Sequence, residues 1–381
     1  MNLNEFVESK KIKNELEHDL ADLISIKSIA GSKDGIYPYG KECGAVLDKM
    51  LSLGEKYGFT TENHDYHCGS VIYGNSEKEI GIIAHLDVVP VGNGWSTDPF
   101  VLTKRKNCYI GRGTKDDKGP ALIGLYAMRF LHDNNVLLPF SVRLVLGCDE
   151  EVGSTDLEYF KSVRKPPMFS FTPDHKYPVC IGEKGIMTFT YSLGKAGDEI
   201  VFLKGGSVSN AVADSAQIEL RTKKSPISNE NITVFRDNDI LKITAVGKTA
   251  HASTPETSVN AIALLADFLL ENELLPQENI KAFEFLSKAE NEYLGKTLSI
   301  DFHDKYFGYL TCVGGVLALK NGEITINFNV RYPMSKSFDE VYENVVKTAE
   351  NYGFNIIFSN RGTAHSVGYF KSPDSPEIKA L

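Results

Sequence analysis

Four short stretches gather the residue types that bind cations and move protons: "AHLDVVPVG", "GRGTKDDKGP", "LVLGCDEEVGS" and "FTPDHKYP". In the first, His85 and Asp87 stand two apart at the end of an apolar run. On an extended strand such a pair faces one side. An aspartate beside a metal-binding histidine fixes its tautomer and ring direction. In the second, Gly111, Gly113 and Gly119 surround Asp116, Asp117 and Lys118. That spacing matches neither glycine pattern of a phosphate loop, and two aspartates would repel a phosphate. Oxygen ligands on a tight glycine turn suit a cation better. The third stretch sets Asp149, Glu150 and Glu151 in a row, and the fourth carries Asp174 and His175. Each of these alone also reads as an acidic turn or a surface histidine.

The elements that carry them change the reading. Apolar spacing predicts helices over residues 4–28, 41–57 and 118–134, and a short one over 154–163. Between them lie strand candidates at 70–74, 79–87, 140–148 and 167–171, that at 79–87 nearly continuous in apolar residues as in a strand buried on both faces. This is an α/β pattern, and in such sheets strand ends of one sense open on a common crevice. One histidine and several carboxylates there demand cations to neutralise them. Mixed histidine and carboxylate ligands suit zinc, with manganese or cobalt as substitutes. Two metals about 3.5–4 Å apart, sharing one carboxylate, would account for the number of acids and supply a bridging hydroxide.

From about residue 184 the texture becomes one of alternating, half-exposed strands with helices at 258–271, 276–288 and 337–352, a second α+β domain with antiparallel pairing. The final "SPDSPEIKAL" reads as a cap and first helical turn. A length of 381 residues fits two domains. The balance of 41 basic against 50 acidic residues gives a net charge of −9, which leaves no footprint for nucleic acid or an anionic membrane. Six scattered cysteines without C-x-x-C spacing and a charged N-terminus without a signal-peptide core point to a reducing cytoplasm.

The linked set "HLDVVPVG", "GRGTKDDKG", "DEEVGS", "TPDHKYP" and "GKTAHAS" resembles the di-zinc peptidases that include carboxypeptidase G, succinyl-diaminopimelate desuccinylase, aminoacylases and carnosinases, and among these the peptidase V, or Xaa-His dipeptidase, type. The resemblance implies a catalytic domain built on a mixed, mostly parallel sheet flanked by helices, formed by residues 1–184 with 372–381. A lid domain of α+β type would cover 185–371. It implies metal-dependent hydrolysis of dipeptides or similar short N-acyl amino acids, with two zinc ions per chain. His85, Asp116, Glu151 and Asp174 would be the metal ligands, Asp116 bridging and held in a cis peptide. Asp87 would orient His85, and Glu150 would be the general base acting on a metal-bridging water. His251 in "GKTAHAS" would stabilise the oxyanion from the lid, while Asn210 in "SNAVADSA" and Arg331 in "FNVRYP" would hold the substrate. Asn210 also reads as a turn residue and Arg331 as a strand surface charge. An enlarged lid that covers its own site implies a monomer.

One departure stands out. The family's remaining metal ligand is a histidine near the C-terminus, beyond a glycine-rich segment, and nothing up to Leu381 matches it. His365 in "GTAHSVG" precedes the expected return to the catalytic domain. The sequence therefore implies a truncated product or a defective second metal site. The rival to a dipeptidase is a homologue that keeps the cleft as a peptide-binding protein. A two-carboxylate glycosidase built on Glu150 would leave His85, Asp116 and Asp174 without a role.

Overall fold

The apolar spacing of residues 4–28 forms two helices rather than one. Ser9 closes α1 (Leu3–Glu8) and opens α2 (Lys10–Ser25), its backbone extended and its Oγ accepting from Ile12 N at 3.5 Å. A serine at that point satisfies an otherwise unpaired amide of the second helix, which outweighs continuation of the first. The computed structural model describes every residue except Asn93 and 359–366, so His365 lies outside the described residues. Among them the chain divides into two units, Met1–Pro178 and Val179–Leu381.

In the first unit α3 (Lys41–Lys56) leads to β1 (Thr60–His64), β2 (Cys68–Tyr73) and β3 (Glu79–His85). A small hairpin of β4 (Thr103–Arg105) and β5 (Cys108–Ile110) precedes α4 (Lys118–Asp133), β6 (Ser141–Gly147), α5 (Thr155–Val163) and β7 (Phe169–Phe171). The five-stranded sheet runs in the order β1-β2-β6-β3-β7. It is mixed: β3 pairs parallel with β6 and β7, whereas β2 pairs antiparallel with β1 and β6. Helices α2, α3 and α4 bury Leu23, Leu47, Met50 and Leu125 in one core with Leu144 and Leu146 of β6. Every residue of β6 is buried, Arg143 included. Its guanidinium donates to both oxygens of Glu79 at 2.8 and 2.7 Å and to Glu62 at 2.7 Å, so the buried charge is paired.

The second unit opens with β8 (Gly182–Glu183), β9 (Gly185–Lys195), β10 (Ile200–Gly205), β11 (Ser215–Arg221), β12 (Ile232–Asp237) and β13 (Ile240–Val246). Helices α6 (Ala261–Glu271) and α7 (Ile280–Glu290) follow, then a hairpin of β14 (His303–Asp304) and β15 (Gly308–Tyr309). The unit continues with β16 (Thr311–Lys320), β17 (Glu323–Tyr332), α8 (Phe338–Tyr352), β18 (Asn355–Phe358), β19 (Tyr369–Phe370) and α9 (Pro376–Ala380). Eight of these strands form an antiparallel sheet in the order β12-β13-β11-β10-β16-β17-β9-β18. Strand β9 alternates buried and half-exposed residues, as a sheet covered on one face requires. Its buried residues Phe189 and Tyr191 pack with Leu265 of α6, Phe285 of α7 and Val345 of α8.

Glu290, at the end of α7, is buried in this unit. Its Oε2 accepts from Asn260 Nδ2 at 2.6 Å and Gly314 N at 3.1 Å, while Oε1 has no partner among the described residues. Burial pushes its carboxyl up to about 8 despite those two bonds. A carboxyl that holds its proton more tightly folded than unfolded stabilises fully below the unfolded value near 4.5. That contribution is lost as pH rises through about 8. Glu290→Gln keeps an acceptor for both donors and removes the titration. Each tenfold change in proton affinity is worth roughly 1.4 kcal/mol, so the variant should gain on wild type by a few kcal/mol between about pH 5 and 8.5. Urea unfolding at several pH values measures this, and parallel curves for the two proteins would refute it.

Candidate metal centre

Three parallel strands deliver the site to one edge of the first sheet. His85 ends β3 and is paired in register with Gly147, the last residue of β6. The acidic loop therefore starts beside it. Strand β7 runs parallel on the other side of β3 and ends at Phe171, three residues before Asp174. The fourth contribution comes from the turn before α4, where the Asp116–Asp117 peptide is cis. Gly113 there takes φ +93°, and a Cβ on Gly119 would lie 2.1 Å from Thr114 O. The two glycines let the turn close on itself.

The His85 ring is the hub. Its Nε2 lies 3.1 Å from Asp116 Oδ1, 3.5 Å from Asp174 Oδ2 and 3.9 Å from Glu150 Oε2. Its Nδ1 faces the Asp87 carbonyl at 3.1 Å and the Asp87 carboxylate at 3.3 Å. His85 and Asp87 are buried, Asp116 is open to solvent, and Glu150 is partly exposed. Ligand atoms of His85, Asp116 and Asp174 lie within 4.8 Å of one another. Glu151 stands outside that trio, yet burial raises its carboxyl and the charge of Asp116 is the next largest cause. Burial pushes Glu150 up to about 7, which His85 opposes and Asp174 reinforces.

Electrostatics shows what the cluster lacks. Among the described residues, no lysine or arginine pairs with Asp116, Glu150, Glu151 or Asp174. Burial alone would lower His85, but hydrogen bonds to Asp174 and Asp87 and the charges of Asp87 and Asp117 win and push it up to about 12. Such a site asks for positive charge. One imidazole nitrogen with several converging carboxylate oxygens is a donor set that fits a divalent cation. Lys118 does not provide the charge. It is buried, with Nζ donating to Leu23 O at 3.0 Å and Ile26 O at 2.7 Å, the carbonyls at the end of α2. It is turned away from the aspartates, as a phosphate-binding lysine would not be.

Asp117 was not singled out for a role by the sequence, and it sits beneath the hub. Its buried Oδ2 accepts from His85 N at 3.1 Å, its Oδ1 has no partner among the described residues, and burial pushes it up to about 7. His175 is exposed, its Nδ1 accepting from Lys176 N at 2.6 Å. Asp149 is buried and binds Thr155, its Oδ2 accepting from the Thr155 amide at 3.1 Å and hydroxyl at 2.6 Å.

The second unit brings Asn210, His251 and Arg331 into relation. Ala211 bridges to His251, and Asn210 O accepts from Ala252 N at 2.9 Å. The charge of Arg331 reaches His251 and, after burial, helps to lower its proton affinity. His251 Nδ1 accepts from Ser253 N at 3.2 Å and contacts Ser253 Oγ at 2.7 Å. The neutral ring therefore carries its proton on Nε2, free to donate. Arg331 donates from Nε to Asn329 Oδ1 at 3.0 Å on β17.

Comparison with known proteins places this arrangement. Peptidase family M20/M25/M40 matches residues 81–378. A protein of Bacillus subtilis (strain 168) that carries a provisional dipeptidase name, YtjP, is 30% identical over 402 residues, covering 100% of this chain and 85% of its own. A provisionally named dipeptidase of Staphylococcus aureus (strain MRSA252) is 31% identical over 388 residues, covering 94% and 81%. Among solved structures, human carnosine dipeptidase 1 aligns with a TM-score of 0.52 at 15% identity over 97% of this chain and 81% of its own. Aminoacylhistidine dipeptidase from Vibrio alginolyticus aligns at 0.53 and 13% over 99% and 84%. These two share the fold. The chain belongs to peptidase family M20/M25/M40, and membership implies divalent metal ions. Among the described residues no helix is long and apolar enough to cross a membrane.

Proposed function

We propose that this protein is a metal-dependent dipeptidase that cleaves the peptide bond of dipeptides or similar short N-acyl amino acids. The observation that carries this is the His85 imidazole facing Asp116, Asp174 and Glu150 at 3.1, 3.5 and 3.9 Å, with no lysine or arginine among the described residues to neutralise them. Names borne by the bacterial relatives and the two aligned dipeptidases support the substrate class. Zinc is the proposed metal, with manganese or cobalt as substitutes, since imidazole with carboxylate suits all three. His85 and Asp174 would hold one ion, Glu151 a second, and Asp116 both. Bound divalent cations acidify water and polarise a carbonyl oxygen.

The protein's own groups do the rest. Asp87 keeps the His85 ring turned to present Nε2. Glu150, held near neutrality by burial, takes the proton of the attacking water and returns it to the leaving amine. His251 offers its Nε2–H to the developing oxyanion. Asn210 and Arg331 bind substrate, the guanidinium pairing with a free C-terminal carboxylate. On this reading the catalytic domain is residues 1–184 with 372–381, and 185–371 form a lid. Six free cysteines, four of them buried, support a reducing compartment, and the enlarged lid a monomer.

The test is dipeptide hydrolysis before and after chelation. Activity should vanish with a strong chelator and return with zinc, manganese or cobalt. Tight dipeptide binding without turnover in the metal-loaded protein would replace the enzyme by a peptide-binding homologue.

A further inference from the structure

The acidic loop leaves β6 in an unusual way. Four consecutive amides, Cys148 to Glu151, all turn toward buried carboxylates. Cys148 N and Asp149 N donate to one oxygen of Asp156, Oδ2, at 2.6 and 3.0 Å. Glu150 N and Glu151 N then donate to Asp87 Oδ1 and Oδ2 at 3.2 and 3.1 Å. Successive amides converging on an anion form a concave nest, an anion-binding site made of the backbone itself.

Asp156 is an unexpected member of this set. It lies in the first turn of α5, where an aspartate ordinarily stays in solvent and gains a few tenths of a kcal/mol from the helix dipole. Here it is 1% exposed. Its second oxygen accepts from Leu157 N at 2.7 Å, so both oxygens are used. The strand ends in glycine to admit it, because a Cβ on Gly147 would lie 2.3 Å from Asp156 Oδ2. The loop is closed further by the Asp149 carbonyl, which accepts from Val152, Gly153 and Ser154. Asp87 touches both the His85 ring and the acidic loop. Asp156 touches the loop and its own helix.

We propose that Asp156 is a positioning residue: with Asp87 it clamps four consecutive amides and thereby sets where the Glu150 and Glu151 carboxylates point. Its catalytic consequence rests on the dipeptidase reading; its consequence for cation binding does not. A ligating or proton-transferring group must be held within about 0.5 Å of its working place, and a misplacement of about 1 Å costs on the order of 10²-fold. Without the anion, the amides of Cys148 and Asp149 would reorient, and the two glutamates follow directly in the chain.

The experiment compares Asp156→Asn and Asp156→Ala with wild type by Co2+ titration, visible Co2+ absorption, kcat and KM on a dipeptide, and thermal unfolding. The asparagine oxygen still accepts from both amides, whereas alanine empties the nest. Alanine should weaken Co2+ binding and lower kcat by about 10–100-fold, as for other groups that orient ligands, with KM within about threefold. Asparagine should recover most of both. If folded Asp156→Ala binds Co2+ with wild-type affinity and spectrum and turns over at the wild-type rate, Asp156 is merely structural and the proposal is overturned. Should alanine fail to fold, Co2+ affinity of Asp156→Asn decides, a loss of at least about threefold being expected. A wild-type protein that binds Co2+ but hydrolyses no dipeptide would sink the dipeptidase reading, while the Co2+ comparison would still judge the clamp.

Discussion

Glu150→Gln is expected to lower kcat on a dipeptide by about 10²–10⁴-fold, the usual worth of a positioned general base. Glutamine has the same shape and leaves the Glu150 amide on Asp87 undisturbed, so the loop should keep its course. What it lacks is a site for the proton. The glutamate Oε2 is 3.9 Å from His85 Nε2, beyond direct hydrogen bonding. The proposed ligands are other residues, so metal content should be unchanged. KM should move little because the group acts in the transition state. Steady-state kinetics with metal analysis of the same samples checks this. Activity within about threefold of wild type would assign the proton transfer to another group.

Asp87→Ala should damage both stability and metal binding. The wild-type carboxylate is 0% exposed, accepts two loop amides and faces the His85 ring. Its removal strands two partly buried amides at about 1–3 kcal/mol each. For a unit of this size that should lower the melting temperature by about 5–15 °C. The His85 ring, free to turn, should bind zinc about 10–100-fold more weakly. Calorimetry on metal-free protein and a zinc titration separate the two effects. Unchanged zinc affinity would show that the ring is held by its packing rather than by Asp87. Asp87→Asn should fall between, since its amide oxygen serves one loop N–H and its NH2 opposes the other.

The cluster around His85 was legible because its residues stand near strand ends and at the turn before α4. His85, Asp116, Glu150 and Asp174 each follow or precede an element whose apolar pattern is strong, and the α/β rule brings such ends together. Less visible were groups whose partners are set by the course of a loop rather than by a pattern. Asp156 looks like any acid at a helix start, and only the tertiary fold shows that it faces Cys148. Strand β1, "TTENH", is polar and lies at a sheet edge, so no apolar period announced it. The break at Ser9 escaped because buried apolar residues, Phe6 and Ile12, stand on both sides of it, while the capping serine competes locally. Lys118 carried a misleading hint. Its place beside two aspartates in a glycine-flanked turn looks like part of an anion loop, although the glycine spacing spoke against one, and the lysine in fact ties the turn to the end of α2.

Arg143 bears on how the site is aligned in the first place. Strand β6 is flanked by β2 and β3 and is almost uniformly apolar, so its side chains alone would tolerate sliding along either neighbour by a two-residue step. Such a slip moves a strand by about 6.6 Å, enough to carry Glu150 away from His85 entirely. The guanidinium forbids it by engaging Glu79 on β3 and Glu62 on β1 at once. It acts as an index pin through the sheet. An ion triad around one buried arginine, away from the reacting groups, thus serves as the gauge by which histidine and glutamate, delivered by different strands, arrive at the same height.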